Sequence, residues 1–467
     1  MASYTFNQPV ISDDVAAFLQ EAKLLSGVFD GKRKISTAMI SPPSTIPSAS
    51  SSFTSTRISS SSFSATYTTQ EIDEVEIPVM LQSVESYEFL GFNHRAAQAL
   101  WQLYVSQPHD MQADFFDFVK WHVRDPLKAD ASSGHDDWIA CMTTLGICQK
   151  LQSALLLPEY SDLRGTASCK FWLLDAMEMS YRVLQELDSD LRTKRAHIQQ
   201  GRKPLQKVFS GRPKAESFSS IPSLASPAGR NEGGATTSDR PTSSIPPSIE
   251  EIRGKSGSQI ATVSDAPVSL DPHTMLWGAG HRSRHEEVYD EGTGKVDIGA
   301  IAASPGDFSG RAKVTYFTPQ RNVADRYAQW QKHKVALANI TVLQVAVPWA
   351  FVESLNMEHL WFGDCWKEVV WWSRRRSELP KELENLEEKD LFIGHIVTGK
   401  DSNFIAFSSP DLIKEDAVLT VKVNGEEEKA IQWTFRGRKV EKAFNTHCHG
   451  KVWLHQLSTL CTPKQSV

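Results

Sequence analysis

Apolar residues recur at helical spacing in two parts of the chain. Near the N-terminus, apolar positions between 15 and 25 follow Ser12 and two aspartates. This predicts an amphipathic helix within residues 1–35, with Ser12 as its N-cap, and it either packs on the body of the protein or binds a partner. From 77 to 198 the same three-to-four spacing runs through successive segments. That pattern predicts a helical bundle, whose aromatic and Met positions are interpreted as core.

The bundle is predicted to hold four or five helices. They cover residues 87–104 (as about two segments), 111–123, 136–157 and 168–195. No chemistry is expected here, since the histidines are not spaced at i, i+4. An unidentified protein is the expected partner of this segment.

From 268 to 436 the pattern changes to short apolar runs between helical segments, which predicts an α+β domain. The expected strands are 274–277, 314–317, 340–347, 391–397 and 404–407, with a hairpin of 417–423 and 430–435 about Asn424-Gly425. A tail, 437–467, follows without a motif.

The best-specified element covers 313–334, where a strand leads directly into a helix. The strand ends at Phe317, and Thr318 and Pro319 fit the N-cap and the first helical position. Positions 323, 327 and 330 then form one apolar stripe.

Two stretches, 36–76 and 199–267, are rich in Ser, Thr and Pro. They hold too little apolar surface to offset the entropy of ordering, so disordered linkers are expected. Ser41-Pro42 and Ser226-Pro227 have the form of proline-directed phosphorylation sites.

Composition excludes several classes of function. A net charge of −6 over 467 residues argues against nucleic acid as a main partner. The six cysteines lack CxxC pairing, which indicates reduced thiols. His447-Cys448-His449 lacks a second ligand cluster, so no metal site is expected. No signal peptide or membrane span is evident, which predicts a cytoplasmic or nuclear protein.

The order of short motifs in the α+β segment resembles that of a divergent ADP-ribosyltransferase-like domain. The resemblance covers about 160 residues and none of the helical segment. Its motifs are Leu276-Trp277-Gly278-Ala279-Gly280, Asp307-Phe308, Tyr316-Phe317-Thr318-Pro319, the 390–397 strand and the 403–408 strand.

The resemblance implies a split sheet whose cleft binds NAD. The residues it assigns to cofactor binding are Trp277, Gly278, His281, Tyr316, Phe317 and Thr318. The family histidine of the first motif falls opposite Gly278, and His281 lies three residues on. Tyr316 and Thr318 would line the nicotinamide pocket, with Phe317 buried.

The resemblance also implies a late polar group that orients the ribose, because the transition state resembles an oxocarbenium ion. The candidates are Glu368 and Asn403. Glu368 shares a face with Trp366 and Trp372 in a strand, whereas in a helix it points sideways. An alternative interpretation makes Tyr316 and Phe317 ordinary core residues and Glu368 a solvated or arginine-paired carboxylate.

Two functions therefore remain open. The first is an ADP-ribosyltransferase-like protein that binds NAD and transfers ADP-ribose to a macromolecule. The second is a non-catalytic interaction or scaffold protein with a degenerate domain of this kind, favoured by the absent first-motif histidine.

Overall fold

The computed structural model describes residues 7–40, 74–108, 112–124, 137–201, 266–303, 306–310, 312–375, 377, 380–423 and 426–457. Most of both predicted linkers, with Ser41-Pro42 and Ser226-Pro227, lies outside these residues. Residues 1–194 and 260–467 form one compact unit. A second unit spans 195–259, of which residues 195–201 are described, as the end of a long helix.

The first part of the compact unit is mainly helical. Its helices are α1 (Asp13–Glu21), α2 (Thr37–Ile40), α3 (Val84–Leu90), α4 (His94–Val105), α5 (Phe115–Arg124), α6 (Trp138–Thr144), α7 (Gln149–Leu155), α8 (Ser161–Arg164) and α9 (Cys169–Gly201). Ser12 is the N-cap residue of α1, but its hydroxyl donates to Asp188 on α9 (2.6 Å) and makes no capping bond. The hydroxyl therefore fixes α1 against α9.

The predicted helix over 136–157 is interrupted, and α6 and α7 take its place. Gly146 has a φ of +72°, the left-handed conformation that ends helices. A Cβ at this position would lie 2.4 Å from the Cβ of Ala96. Glycine is therefore required both by its backbone conformation and by the close approach of α4.

The prediction of disorder over 36–76 is wrong at both ends of that stretch. Strand β1 (Lys32–Ser36) pairs antiparallel with β2 (Glu74–Pro78). Ile35 lies opposite Val75 and Ile77 lies opposite Arg33, and both isoleucines are buried in the hydrophobic core. These two side chains, together with Met39 and Ile40, anchor the ends of a stretch that is rich in Ser, Thr and Pro.

The second part contains two larger sheets and two small hairpins. Its strands are β3 (His273–His281), β4 (Tyr289–Asp290), β5 (Lys295–Val296), β6 (Val314–Phe317), β7 (Ile340–Pro348), β8 (Met357–Leu360), β9 (Leu391–His395), β10 (Thr420–Val423), β11 (Glu426–Lys429), β12 (Ile431–Arg436) and β13 (Val452–Gln456). One sheet has the order β13-β7-β3, and the other has the order β6-β12-β9-β8. All pairs are antiparallel except β8 with β9. The chain is thus of mixed α+β class, as predicted.

Six helices flank these strands. They are α10 (Arg282–Val288), α11 (Arg321–Lys334), α12 (Trp349–Glu353), α13 (Asp364–Arg374), α14 (Asp401–Ala406) and α15 (Arg438–His447). Helix α11 begins two residues later than predicted. Thr318 accepts a hydrogen bond from the Gln320 amide (3.1 Å) in the turn before it and is not its N-cap.

Three further predictions in this part are wrong. The expected strand 404–407 is replaced by helix α14. Phe404 packs into the core while Ile405 and Ala406 are both exposed, which breaks the alternation of a strand and fits one face of a helix. The expected hairpin of 417–423 with 430–435 is also different: β10 pairs with β11, whereas β12 pairs with β6 in the four-stranded sheet. The segment 437–467 contains α15 and β13, so it contributes to the fold.

Helices α9 and α11 pack against each other. The rings of Trp172 and Trp330 lie 4.5 Å apart, edge to face, and Trp330 is fully buried. Residues of the helical and the α+β segments thus share one hydrophobic core. Within the described ranges, none of the helices has the length and hydrophobicity needed to cross a bilayer.

Candidate ligand cavity

The candidate site lies where the two larger sheets meet. Strands β3 and β6 belong to different sheets and are linked by an isolated bridge, in which Trp277 and Thr318 exchange backbone hydrogen bonds of 2.8 and 2.9 Å. A cavity of about 260 Å³ lies beside this bridge. Residues of β3, β6, α9, α10 and α11 line it.

All six residues that the resemblance assigns to cofactor binding line this one cavity. They are Trp277, Gly278, His281, Tyr316, Phe317 and Thr318. The two catalytic candidates are not among its lining residues. Glu368 is half-buried on α13, where Trp366, Val369 and Val370 pack inward, as expected for the helical alternative. Asn403 lies exposed on α14.

The wall formed by β3 and β6 is aromatic and closely packed. Phe317 stacks on Phe444 with ring centroids 5.7 Å apart, which fixes its position from behind. The guanidinium of Arg321 lies over the Trp277 ring at 5.0 Å. A Cβ at Gly278 would meet Phe317 at an ordinary 3.7 Å, so this position, which the resemblance aligns with a histidine, borders the cavity and has room for a Cβ.

His281 ends β3 and is almost completely buried. Its Nδ1 accepts from the Ser283 amide (3.4 Å) and lies 2.9 Å from the Ser283 hydroxyl. Burial, followed by the charges of Arg182 and Arg284, lowers its pKa to about 4. At neutral pH the ring is therefore uncharged, and because the Ser283 amide donates to Nδ1, the proton is assigned to Nε2. That nitrogen has no hydrogen-bond partner among the described residues.

Tyr316 presents its hydroxyl to the loop that precedes β6. A Cβ at Gly306 would lie 1.8 Å from this oxygen, so the ring depends on glycine there. The oxygen is buried and makes no regular hydrogen bond to a described residue, although Ser309 lies nearby. Burial, and secondarily the charge of Asp307, raises the pKa of Tyr316 and keeps its phenol protonated.

Asp307 and Gln432 are cavity residues that sequence reasoning did not select as site residues. Asp307 is buried and forms an ion pair with Arg374 at 3.0 Å. It also accepts from the Val397 amide and from Gln432 Nε2, both at 2.9 Å. Burial raises the pKa of Asp307, and the Arg374 guanidinium opposes that shift. Gln432 is a polar residue within the apolar run of β12, and this feature of the sequence could have indicated a site residue.

Helix α9 provides the remaining wall, which sequence reasoning also missed. Its Asp175 pairs with Lys334 at 2.7 Å, and its Glu178 pairs with Arg182 at 3.2 Å. Trp172 faces the cavity with a buried indole N–H that lacks a partner among the described residues. No sequence signal could have found these residues, because they lie more than 90 positions before the motifs that the resemblance uses.

No protein family, curated protein or solved structure matches this chain. Within the residues described, no group of three or more His, Cys, Asp or Glu side chains is placed to hold a metal ion. The ligand is therefore inferred from the shape and the unmatched polar atoms of the cavity.

Proposed function

We propose that this protein binds NAD in the cavity between its two larger sheets, and that its α+β segment is a divergent ADP-ribosyltransferase-like domain. The observation that carries the proposal is the convergence of six residues, which are spread over 42 positions from 277 to 318 and line one cavity. A split between a three-stranded and a four-stranded sheet at the Trp277–Thr318 bridge supports the same assignment.

The polar atoms of the cavity fit part of such a ligand. His281 Nε2 and Trp172 Nε1 are donors, and Gln331 Oε1 is an acceptor; all are buried and unmatched by the described residues. Buried polar atoms without partners are costly, and a ligand that pairs with them removes that cost. The aromatic walls supply apolar surface for a ring.

Transfer of ADP-ribose is the second half of the proposal. NAD would supply a glycosidic bond whose cleavage needs a carboxylate or amide near the ribose. Gln432 and Glu178 are two of the amide and carboxylate residues that line the cavity, and we assign this role to them in place of Glu368 and Asn403. Gln432 already donates to Asp307, and Glu178 already pairs with Arg182.

The second candidate is a non-catalytic binding protein. It is favoured because each carboxylate that lines the cavity is paired with a cation: Asp175 with Lys334, Glu178 with Arg182, and Asp307 with Arg374. A protein partner of the helical segment remains a prediction under either function.

Calorimetric titration of the full chain with NAD, ADP-ribose and nicotinamide tests the proposal. We expect NAD to bind to the wild-type chain, and we expect Tyr316→Phe to lower the affinity for NAD several-fold. Tyr289→Phe is the matched control, because Tyr289 is half-buried but does not line the cavity. Absence of NAD binding to the wild-type chain would refute the proposal.

Incubation with labelled NAD then separates the two candidates. Label transfer that is lost in Gln432→Ala or Glu178→Gln, and retained in Glu368→Ala, indicates transfer at this cavity. NAD binding without transfer supports the non-catalytic candidate. Loss of transfer only in Glu368→Ala would place the chemistry elsewhere.

A further inference from the structure

The two arginines that line the cavity differ in whether they have carboxylate partners. Two basic side chains line it, Arg182 and Arg284, both on helices. Arg182 is held by two carboxylates, Glu178 at 3.2 Å and Glu287 at 2.8 Å. It also donates to the Ser283 hydroxyl at 3.1 Å. Arg182 is therefore occupied as a link between α9 and α10.

Arg284 differs from Arg182 in having no ion pair or hydrogen bond among the described residues. It is half-buried on α10 and borders the cavity. It lies on the helix that His281 caps and that also carries His285, and all three residues line the cavity. Its positive charge contributes to the lowered pKa of both imidazoles. The cavity thus borders a cation to which no described residue offers a carboxylate.

The neighbouring imidazoles cannot provide the missing negative charge. His285 is fully buried, and its Nδ1 lies 2.8 Å from the Thr341 hydroxyl. His281 is neutral, with its Nε2–H unmatched. A guanidinium and an imidazole N–H that line the same cavity are suited to phosphate oxygens, because both groups donate hydrogen bonds and the guanidinium can bind two oxygens at once.

We propose that Arg284 holds a phosphate or pyrophosphate group of the ligand while the aromatic walls enclose the adjoining nucleoside. This inference rests on the proposed function in so far as the ligand is NAD, and it assigns an anchor that the first motif lacks at Gly278. The cavity, at about 260 Å³, lies just below the ~300–1,000 Å³ usual for ligand pockets. This volume fits a part of a dinucleotide, such as one of its mononucleotide halves, and not the whole.

The contribution of the phosphate is isolated by comparing nicotinamide mononucleotide with nicotinamide riboside, which differ in that group. We expect the full chain to bind the mononucleotide more tightly, and Arg284→Gln to lose on the order of 10- to 100-fold of that affinity. Riboside affinity should not change. Arg284→Lys keeps the charge but cannot form the bidentate bonds, so its affinity for the mononucleotide should lie between those of the wild type and Arg284→Gln.

Arg282→Gln is the matched control. It removes the same charge two residues away, but Arg282 pairs with Glu286 at 2.6 Å and does not line the cavity. It should bind both ligands as the wild type does. Circular dichroism on every variant checks that it is folded.

The outcomes separate this inference from the proposed function. Equal mononucleotide affinity in the wild type and Arg284→Gln overturns the inference while NAD binding stands. If the wild type binds no nicotinamide ligand, inorganic pyrophosphate is the next probe. Arg284-dependent pyrophosphate binding would then refute NAD as the ligand and keep the anion site, whereas absence of binding refutes both.

Discussion

The ammonium of Lys334 lies 2.7 Å from the carboxylate of Asp175, in an ion pair that joins α11 to α9 across 159 positions of sequence. The Lys334 side chain is fully buried between two indole rings, at 4.2 Å from the centroid of Trp172 and 4.4 Å from that of Trp330. Desolvation lowers the pKa of Lys334, and Asp175 opposes that shift. The pair holds one wall of the cavity in place.

Asp175→Asn should therefore lower the free energy of unfolding by about 3–5 kcal/mol, because it leaves a buried ammonium without a counter-charge. Urea denaturation measures the change. Asp117→Asn is the matched control, since Asp117 pairs with Lys120 on the surface, where such a pair contributes at most about 1 kcal/mol. Similar losses in both variants would contradict the assigned role of the buried pair.

Gly306→Ala should displace Tyr316, because its Cβ would lie 1.8 Å from the Tyr316 hydroxyl oxygen. We expect a loss of roughly 1–3 kcal/mol in stability, as for other overpacked sites, together with weaker ligand binding. Gly278→Ala is the control, since its Cβ meets Phe317 at 3.7 Å. Unfolding and ligand titration are measured on both. If Gly306→Ala changed neither stability nor ligand affinity, the loop that precedes β6 would be able to move and accommodate the added Cβ without displacing Tyr316.

Arg374→Met should leave Asp307 buried without its cation. Asp307 would keep its hydrogen bonds from Val397 and Gln432, but its charge would be uncompensated. A loss of about 3–5 kcal/mol in the free energy of unfolding is expected. Adding Asp307→Asn removes the stranded charge and should restore part of the loss. A double variant no more stable than Arg374→Met would argue that Arg374 acts mainly through its bonds to the Gly165 and Val397 carbonyls.

Stability should fall as the pH is lowered from about 6.5 towards 4. Burial lowers the pKa of His281 from 6.5 to about 4 and that of His285 to about 3. Between these values the unfolded chain binds more protons than the folded chain, so stability rises with pH and is fully present above 6.5. For His281 the total is about 3 kcal/mol.

Chemical unfolding at several pH values between 4 and 6.5 measures this slope. His281→Gln should reduce it by up to about 1.4 kcal/mol per pH unit. His359→Gln, at an exposed position, should leave it unchanged. Equal slopes in the wild type and His281→Gln would show that His281 is not held neutral.

Local patterns were sufficient where neighbouring residues decide the structure. The strand ending at Phe317 and the helix that follows were predicted, and Val323 and Trp330 are buried on the expected stripe. Six residues near these motifs line one cavity because β3 and β6 bring them together.

Other features depend on contacts that a sequence pattern does not contain. The apolar run after Asn403 fits a strand as well as a helix, and packing of Phe404 decides for the helix. Strand β13 completes a sheet by pairing with β7, more than 100 positions earlier. The Asp175–Lys334 pair, for the same reason, could not be located from spacing alone.

Because α9 forms one wall of the cavity, the segment 266–457 cannot be separated from α9 in evolution without exposing part of the core. A gene fusion that carried residues 266–457 without α9 would transfer the strands and motifs but leave Trp330 and Tyr327 facing water. Large aromatic side chains account for roughly 150–250 Å² of burial each, so such a fragment would be prone to aggregation. Descendants of this chain should therefore retain α9 together with the strands and helices of 266–457.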